Sequence, residues 1–222
     1  MLAGWPCPVP DAPVAEEYAL AFTRGRARRL LIVPALFDEG NRLRRLTVQT
    51  MRALDAAGID SALPDLPGTN ESLQPLGRMT FAHWRTAMAG AATHFGATHV
   101  LAIRGGALVA PDLPGLAYAP VGGSAILRQL LRARTLAGRE MGREESQAAL
   151  LEQGKANGLE FVGYPLSAAM ISEMEAAEPA QQLSVIAQDE IGGGALWLRA
   201  EPGEDPVQVH ALCNAVVRAL QN

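Results

Sequence analysis

The residues best placed to do chemistry stand together as Ala102-Ile103-Arg104-Gly105-Gly106, at the end of the apolar run Val100-Leu101-Ala102-Ile103. An apolar strand that meets two glycines and then the helical beginning Ala107-Leu108-Val109-Ala110 makes a strand-turn-helix unit, in which a strained turn lifts one side chain above the strand end. Small residues at 102, 105 and 106 let the backbone turn tightly and let the helix approach the strand. The lifted side chain is an arginine. A guanidinium stays protonated near neutral pH and is a poor nucleophile, so an ordinary acyl-enzyme route through position 104 is closed. What remains is an anion site. The backbone N–H groups of Gly105 and Gly106 at a helix N-terminus, beside a forked guanidinium, suit a carboxylate, phosphate or sulfate. An internal partner can compete for the same charge, a carboxylate such as Asp38 or Glu39 accepting Arg104 in an ion pair. Arg44 and Arg45 sit one turn from the same mouth, with a solvated helix face as their default reading.

The elements that must position these groups follow from the chain as a whole. With 222 residues, 49 % of them hydrophobic, the chain can bury a sizeable core, and one domain with an insertion is expected. Its net charge of -4 comes from mixed charges without a basic face, so no nucleic-acid partner is expected. Only Lys155 among the 19 basic residues is a lysine, a bias that reflects base composition more often than function and carries no mechanistic weight. Cys7 and Cys213 form neither a metal spacing nor a disulfide framework and suit a reduced compartment. Met1 to Pro8 lacks a basic segment followed by an apolar core, and no apolar run approaches a membrane span, so the expected location is the cytoplasm.

Residues up to about Glu16 are proline-rich and read as a surface arm, followed by an edge strand over Glu17 to Phe22. Arg29 to Val33 is a continuous apolar run of the kind buried on both faces of a parallel sheet. Asn41 can cap a helix that Gly58 ends, and Ile59 to Leu63 is the next strand. A turn-rich loop, Pro64 to Ser72, precedes an amphipathic helix with Phe81, Trp84, Met88, Ala91 and Phe95 on one stripe. The Arg104 strand follows, and then a strand over Leu116 to Val121. Helical patterns cover Ser124 to Ala137, Glu144 to Gln153 and Leu166 to Ala177, with no convincing strand between them. Leu183 to Ala187 and Ala195 to Arg199 resume the sheet, and Asp205-Pro206 starts a final helix. Alternating strands and helices with short connections predict a doubly wound, mainly parallel α/β sheet. The core spans residues 1–123 and 182–222, and 124–181 forms a helical insertion.

Three separated segments carry a resemblance. Pro64-Asp65-Leu66-Pro67-Gly68-Thr69-Asn70-Glu71-Ser72 resembles the D-x-P-G-x-G-x-S loop of α/β-hydrolases, with Asn70 in place of the second glycine. Leu31 to Arg45, with Pro34, Phe37, Glu39, Asn41, Arg44 and Arg45, resembles a narrower group, the exosortase A system-associated hydrolases of type 2. Tyr118 to Gly123, with the arginine-rich helix Leu127 to Arg134, is similar to the same group. The resemblance spans roughly residues 30 to 180. It implies an α/β-hydrolase fold, a lid over the strand ends at 124–181, and Ala102 to Gly106 in the place of the nucleophile elbow G-x-S-x-G. It also implies a bacterial cytoplasmic protein accompanying the machinery for PEP-CTERM sorting and exopolysaccharide synthesis, without implying a substrate.

In that fold the nucleophile is followed in chain order by an acid and a histidine. Asp189 or Glu190, after the strand Leu183 to Ala187, is the candidate acid, though a solvated turn explains them as well. The histidine place before the last helix is empty; His210 is nearest, but it falls in that helix's second turn. His83, His94 and His99 precede the elbow and read as structural, and none has ligand spacing with a carboxylate or cysteine, so no metal is expected. Ser124 reads as the N-cap of the following helix and Ser72 as a turn residue of its loop. The sequence therefore points to a hydrolase fold with a degenerate triad and no cofactor, acting as a binding or accessory protein. A small anionic or glycan-related ligand would sit with Arg104, Gly105, Gly106, Asp38, Glu39 and Arg44 under the lid. Two rivals are a hydrolase of ester or thioester bonds using water activated by Asp38, Glu39 or Asp189, and a structural protein that docks a partner or a second copy through the lid.

Overall fold

The computed structural model describes residues 1–8 and 14–221. Five parallel strands form its centre: β3 (Arg29–Val33), β4 (Asp60–Pro64), β5 (His99–Ile103), β6 (Gly115–Tyr118) and β9 (Leu183–Ile186). Their order is β4-β3-β5-β6-β9, extended at the β4 side by β2 (Ala15–Phe22) and then β1 (Leu2–Cys7), both antiparallel to their neighbours. The apolar runs of β3 and β5 are buried on both faces, as a parallel sheet requires. Leu31, Val33, Val100, Ala102 and Ala117 enter one core; Leu30, Ile32, Leu101, Ile103, Leu116 and Tyr118 enter the other. This two-residue alternation fixes the register, because a slip by one residue would exchange the two cores.

Helices α1 (Asp38–Ala56) and α7 (Pro206–Ala219) cover one face, packing against each other. Helix α2 (Phe81–His94) covers the other, burying Phe81, Trp84, Met88 and Ala91 completely along the expected stripe. The second face is completed by α3 (Gly123–Glu140), α4 (Gln147–Asn157) and α5 (Ala168–Ala176), whose Leu127, Leu130, Leu150, Met170 and Met174 join the same core as α2.

Several elements differ from the sequence expectations. Leu2–Cys7 is a strand and forms the sheet edge, so β2 lies one place inside; residues 9–13 of the expected arm lie outside the described residues. Pro6 is tolerated there because an edge strand has one row of backbone groups without a neighbour, and Trp5 and Cys7 supply the burial that holds the strand. Asn41 is not the cap of α1. The helix begins three residues earlier, with Phe37 in the cap position and Asp38 and Glu39 in the first turn, where carboxylates favour the helix dipole. Ser124 likewise lies inside the first turn of α3, which Gly122 caps. Ala195–Arg199 is not a strand; Leu196–Leu198 is a 3₁₀ turn, preceded by the short helix α6 (Gln188–Ile191). The stretch 124–181 is mainly helical but also holds an antiparallel hairpin, β7 (Leu159–Phe161) with β8 (Tyr164–Leu166), against the expectation of no strand. Phe161 and Leu166 are buried, so tertiary packing sustains strands too short for a periodic signal.

Candidate functional site

Arg104 stands at the carboxyl end of β5, between β3 and β6, and adopts φ +53°. That left-handed backbone is unfavourable for a residue with a side chain, and it is the conformation that lifts a side chain out of the turn. The surrounding glycines allow it. A Cβ on Gly106 would come within 2.5 Å of the Pro34 carbonyl oxygen and 2.6 Å of that of Val33, and one on Gly105 would come within 2.7 Å of Ile126. Gly106 thus lets the turn press against the end of β3, and Gly105 lets α3 close over it. The helix expected after the turn is a single 3₁₀ stretch, Arg104–Leu108, because Pro111 follows too soon for a longer one. The face that a full helix would have covered is taken by α3, through Ile126 and its neighbours.

The guanidinium is enclosed by three groups from three parts of the chain. Glu39, in the first turn of α1, accepts from Nε and Nη2 at 3.0 Å each, a bidentate fork. The Ala119 carbonyl, just past β6, accepts from Nη1 at 2.7 Å. The Trp197 ring lies 4.1 Å from the guanidinium carbon, in cation–π range. Below Trp197, Tyr118 meets its ring edge-on, and burial pushes the Tyr118 hydroxyl up to about 12 while it donates to Gln188. The Arg104 and Glu39 side chains are only 12 % and 8 % exposed. A buried charge pair is retained when geometry and additional hydrogen bonds offset its desolvation, and this one has both.

Of the two carboxylates weighed for Arg104, the structure selects Glu39. Asp38 faces outward, half exposed, and pairs with Arg42 one helical turn along. Gly105 and Gly106 are buried beneath the guanidinium. Asp189 and His210 are not brought together. Asp189 is exposed inside α6 and its carboxylate accepts the Glu190 backbone N–H, while Glu190 accepts that of Ala187 and so caps the helix. His210 is exposed on α7, beside Arg52 and Glu204. Among the described residues no hydrogen bond joins Asp189 or His210 to each other or to Arg104. Trp197, Tyr118 and Ala119 were missed by sequence reasoning; the one signal was an isolated tryptophan after Gly192-Gly193-Gly194.

Open space lies next to this cage. A cavity of about 370 Å³ is bounded by the β3–α1 connection Pro34 to Phe37, by Asn41 and Arg44 of α1, by Gly68 to Asn70 of the loop after β4, by Trp84, and by Gly163 to Pro165 of the hairpin. No residue of the Arg104 turn lines it. The loop after β4 is tied by its own side chains. The Gly68 N–H donates to the Ser72 hydroxyl at 2.8 Å, Ser72 donates to buried Glu17 at 2.7 Å, and Asn70 donates to Asp65 at 2.6 Å. Arg44 reaches Asp65 through one long contact of 3.4 Å. Burial pushes the carboxyls of both Glu17 and Asp65 above the usual range.

At the level of sequence, no family model and no curated protein matches the chain. Solved structures do. The mouse alpha/beta hydrolase domain-containing protein 10 superposes with a TM-score of 0.63 at 10 % identity, over 100 % of this chain and 98 % of its own. A presumptive hydrolase from Agrobacterium vitis S4 gives a TM-score of 0.54 at 14 % identity, over 100 % of this chain and 99 % of its own. At such identities the likeness is one of architecture, and together with the strand order and the left-handed turn after β5 it identifies the chain as an α/β-hydrolase-fold protein.

Proposed function

We propose that this α/β-hydrolase-fold protein does not run serine-hydrolase chemistry and acts as a binding or accessory protein for a small anionic or glycan-related ligand. The observation that carries this reading is the enclosed, paired guanidinium at the nucleophile position: Arg104 has no proton to give up near neutral pH, and Glu39, the Ala119 carbonyl and the Trp197 ring already hold it. The hydrolytic rival needs a base free to activate water. Asp38 is paired with Arg42, Glu39 with Arg104, and Asp189 is exposed on α6 and does not line the cavity, so none of the three favours that rival.

The ligand place in this reading is the cavity beside the cage. Of segment 124–181, expected as a lid, the β7–β8 hairpin plays that part in this reading, with Gly163, Tyr164 and Pro165 in the cavity wall. The sequence resemblance to the exosortase A system-associated hydrolases of type 2 supports a bacterial, cytoplasmic setting linked to PEP-CTERM sorting and exopolysaccharide. Among the described residues no helix is long and apolar enough to cross a membrane.

A fluorophosphonate probe and a panel of short-chain p-nitrophenyl esters and thioesters test the reading. The protein is expected neither to label nor to turn over, and Arg104→Ser is expected to stay inactive because no histidine stands ready to take the serine's proton. Stoichiometric labelling of the wild type, or turnover by Arg104→Ser well above background, would overturn it.

A further inference from the structure

We propose that the cavity between the β3–α1 connection, the loop after β4 and the β7–β8 hairpin is a site for a monocarboxylate with an apolar, preferably aromatic, body, and that Arg44 is the residue that reads its charge. The inference rests on the binding-protein reading above and names its ligand class. At about 370 Å³ the cavity lies within the size range of small-molecule sites, and its wall joins apolar and aromatic side chains to the polar Asn41, Arg44, Thr47, Thr69 and Asn70. Among the described residues Arg44 is the only charged one lining it, and no acid does. A hydrogen-bonded fork needs free donors. The Arg44 guanidinium gives only one N–H, at 3.4 Å, to Asp65, and its side chain is 45 % exposed. Four of its five N–H donors are left for an incoming anion.

One guanidinium matches one carboxylate in charge and in bidentate geometry, whereas a phosphate dianion would call for a second cation that the wall does not offer. Asn41 and Asn70 add amide groups near the same end, and Asn70 is held in place by its bond to Asp65. The wall also carries three aromatic side chains. Phe37 lies between Trp84 and Tyr164, with ring centroids 5.8 Å and 5.4 Å apart, tilted and edge-on respectively. Such edges and faces offer packing for a flat ring or a short acyl chain.

The test measures binding by titration calorimetry to 3-phenylpropanoate and octanoate, each against its alcohol, 3-phenylpropanol or octanol, with phenyl phosphate as a dianionic control. The carboxylates are expected to bind one per chain and at least about tenfold more tightly than their alcohols, the worth of a charge-assisted hydrogen bond. Arg44→Gln should abolish that preference, Arg44→Lys should keep only part of it, and Tyr164→Ala should weaken acid and alcohol alike. Equal unfolding midpoints for wild type and the Arg44 variants establish that the fold is kept. Carboxylates no tighter than their alcohols, a preference that survives Arg44→Gln, or phenyl phosphate bound more tightly than either acid would overturn the assignment. Hydrolysis of a 3-phenylpropanoate ester by the wild type would instead overturn the non-catalytic reading, so the two failures are told apart.

Discussion

Arg104 and Arg44 each pair with a carboxylate, on either side of the β3–α1 connection, and the pairs are opposite in character. Arg104 is enclosed, bidentate at 3.0 Å to Glu39, with a carbonyl and an indole completing its shell. Arg44 is nearly half exposed, touches Asp65 once at 3.4 Å and faces a cavity. At the end of β5 the arginine is held within the protein, whereas the arginine on α1 keeps most of its donors free beside open space. A guanidinium holds a fold or recognises a ligand according to how many of its donors the protein has already used.

The contrast is broken most severely at Glu39. Replacing Glu39 with alanine leaves the Arg104 charge enclosed and unpaired, which is expected to destabilise the protein by about 3–5 kcal/mol in denaturant unfolding. A loss under about 1 kcal/mol would mean that Trp197 and the Ala119 carbonyl suffice.

A smaller effect separates the acids of the cavity side. Glu17 and Asp65 have carboxyls raised by burial, so the folded state holds their protons more tightly than the unfolded chain. Stability therefore falls as pH rises out of the ordinary carboxyl range through the raised native values, and it stays lower at neutral pH. Asp55 works the other way. Hydrogen bonds from Arg24 and Arg26 hold its carboxyl down at about 2, so its contribution is present at neutral pH and lost as pH falls toward that value. Glu17→Gln is expected to flatten the decline on the high-pH side and leave the acid limb unchanged; an unaltered profile would contradict the burial argument.

The smallest effect belongs to Asp38, one residue from Glu39. Its pair with Arg42 is an exposed contact one helical turn apart, and Asp38→Asn is expected to change stability by less than about 0.5 kcal/mol. A cost near that of the Glu39 variant would show that the cage extends further than its hydrogen bonds.

Much of this arrangement was legible in the sequence. The apolar runs at 29–33 and 99–103, the glycines at 105 and 106, and the helical stripe of α2 fixed the sheet centre and put Arg104 at a strand end, because local propensity and burial agree there. A carboxylate partner for Arg104 followed from the cost of a lone buried charge, but Asp38 and Glu39 could be separated only once α1 began at Asp38 and turned one outward and the other inward. Trp197 was not legible. It reaches Arg104 from a loop whose path depends on contacts far away in sequence, among them the bond from Arg42 to its carbonyl. The cavity was hidden for the same reason, since its wall joins residues 34 to 165 through a hairpin with only three residues in each strand.

The central claim is that the Arg104–Glu39 pair occupies the nucleophile place as a unit of structure, and a double-mutant cycle tests it directly. Unfolding free energies of the wild type, Glu39→Gln, Arg104→Met and the double variant give the coupling between the two side chains. The structure predicts a coupling of about 2–3 kcal/mol, with the double variant costing far less than the sum of the two single changes. Strictly additive losses, with a coupling near zero, would contradict it.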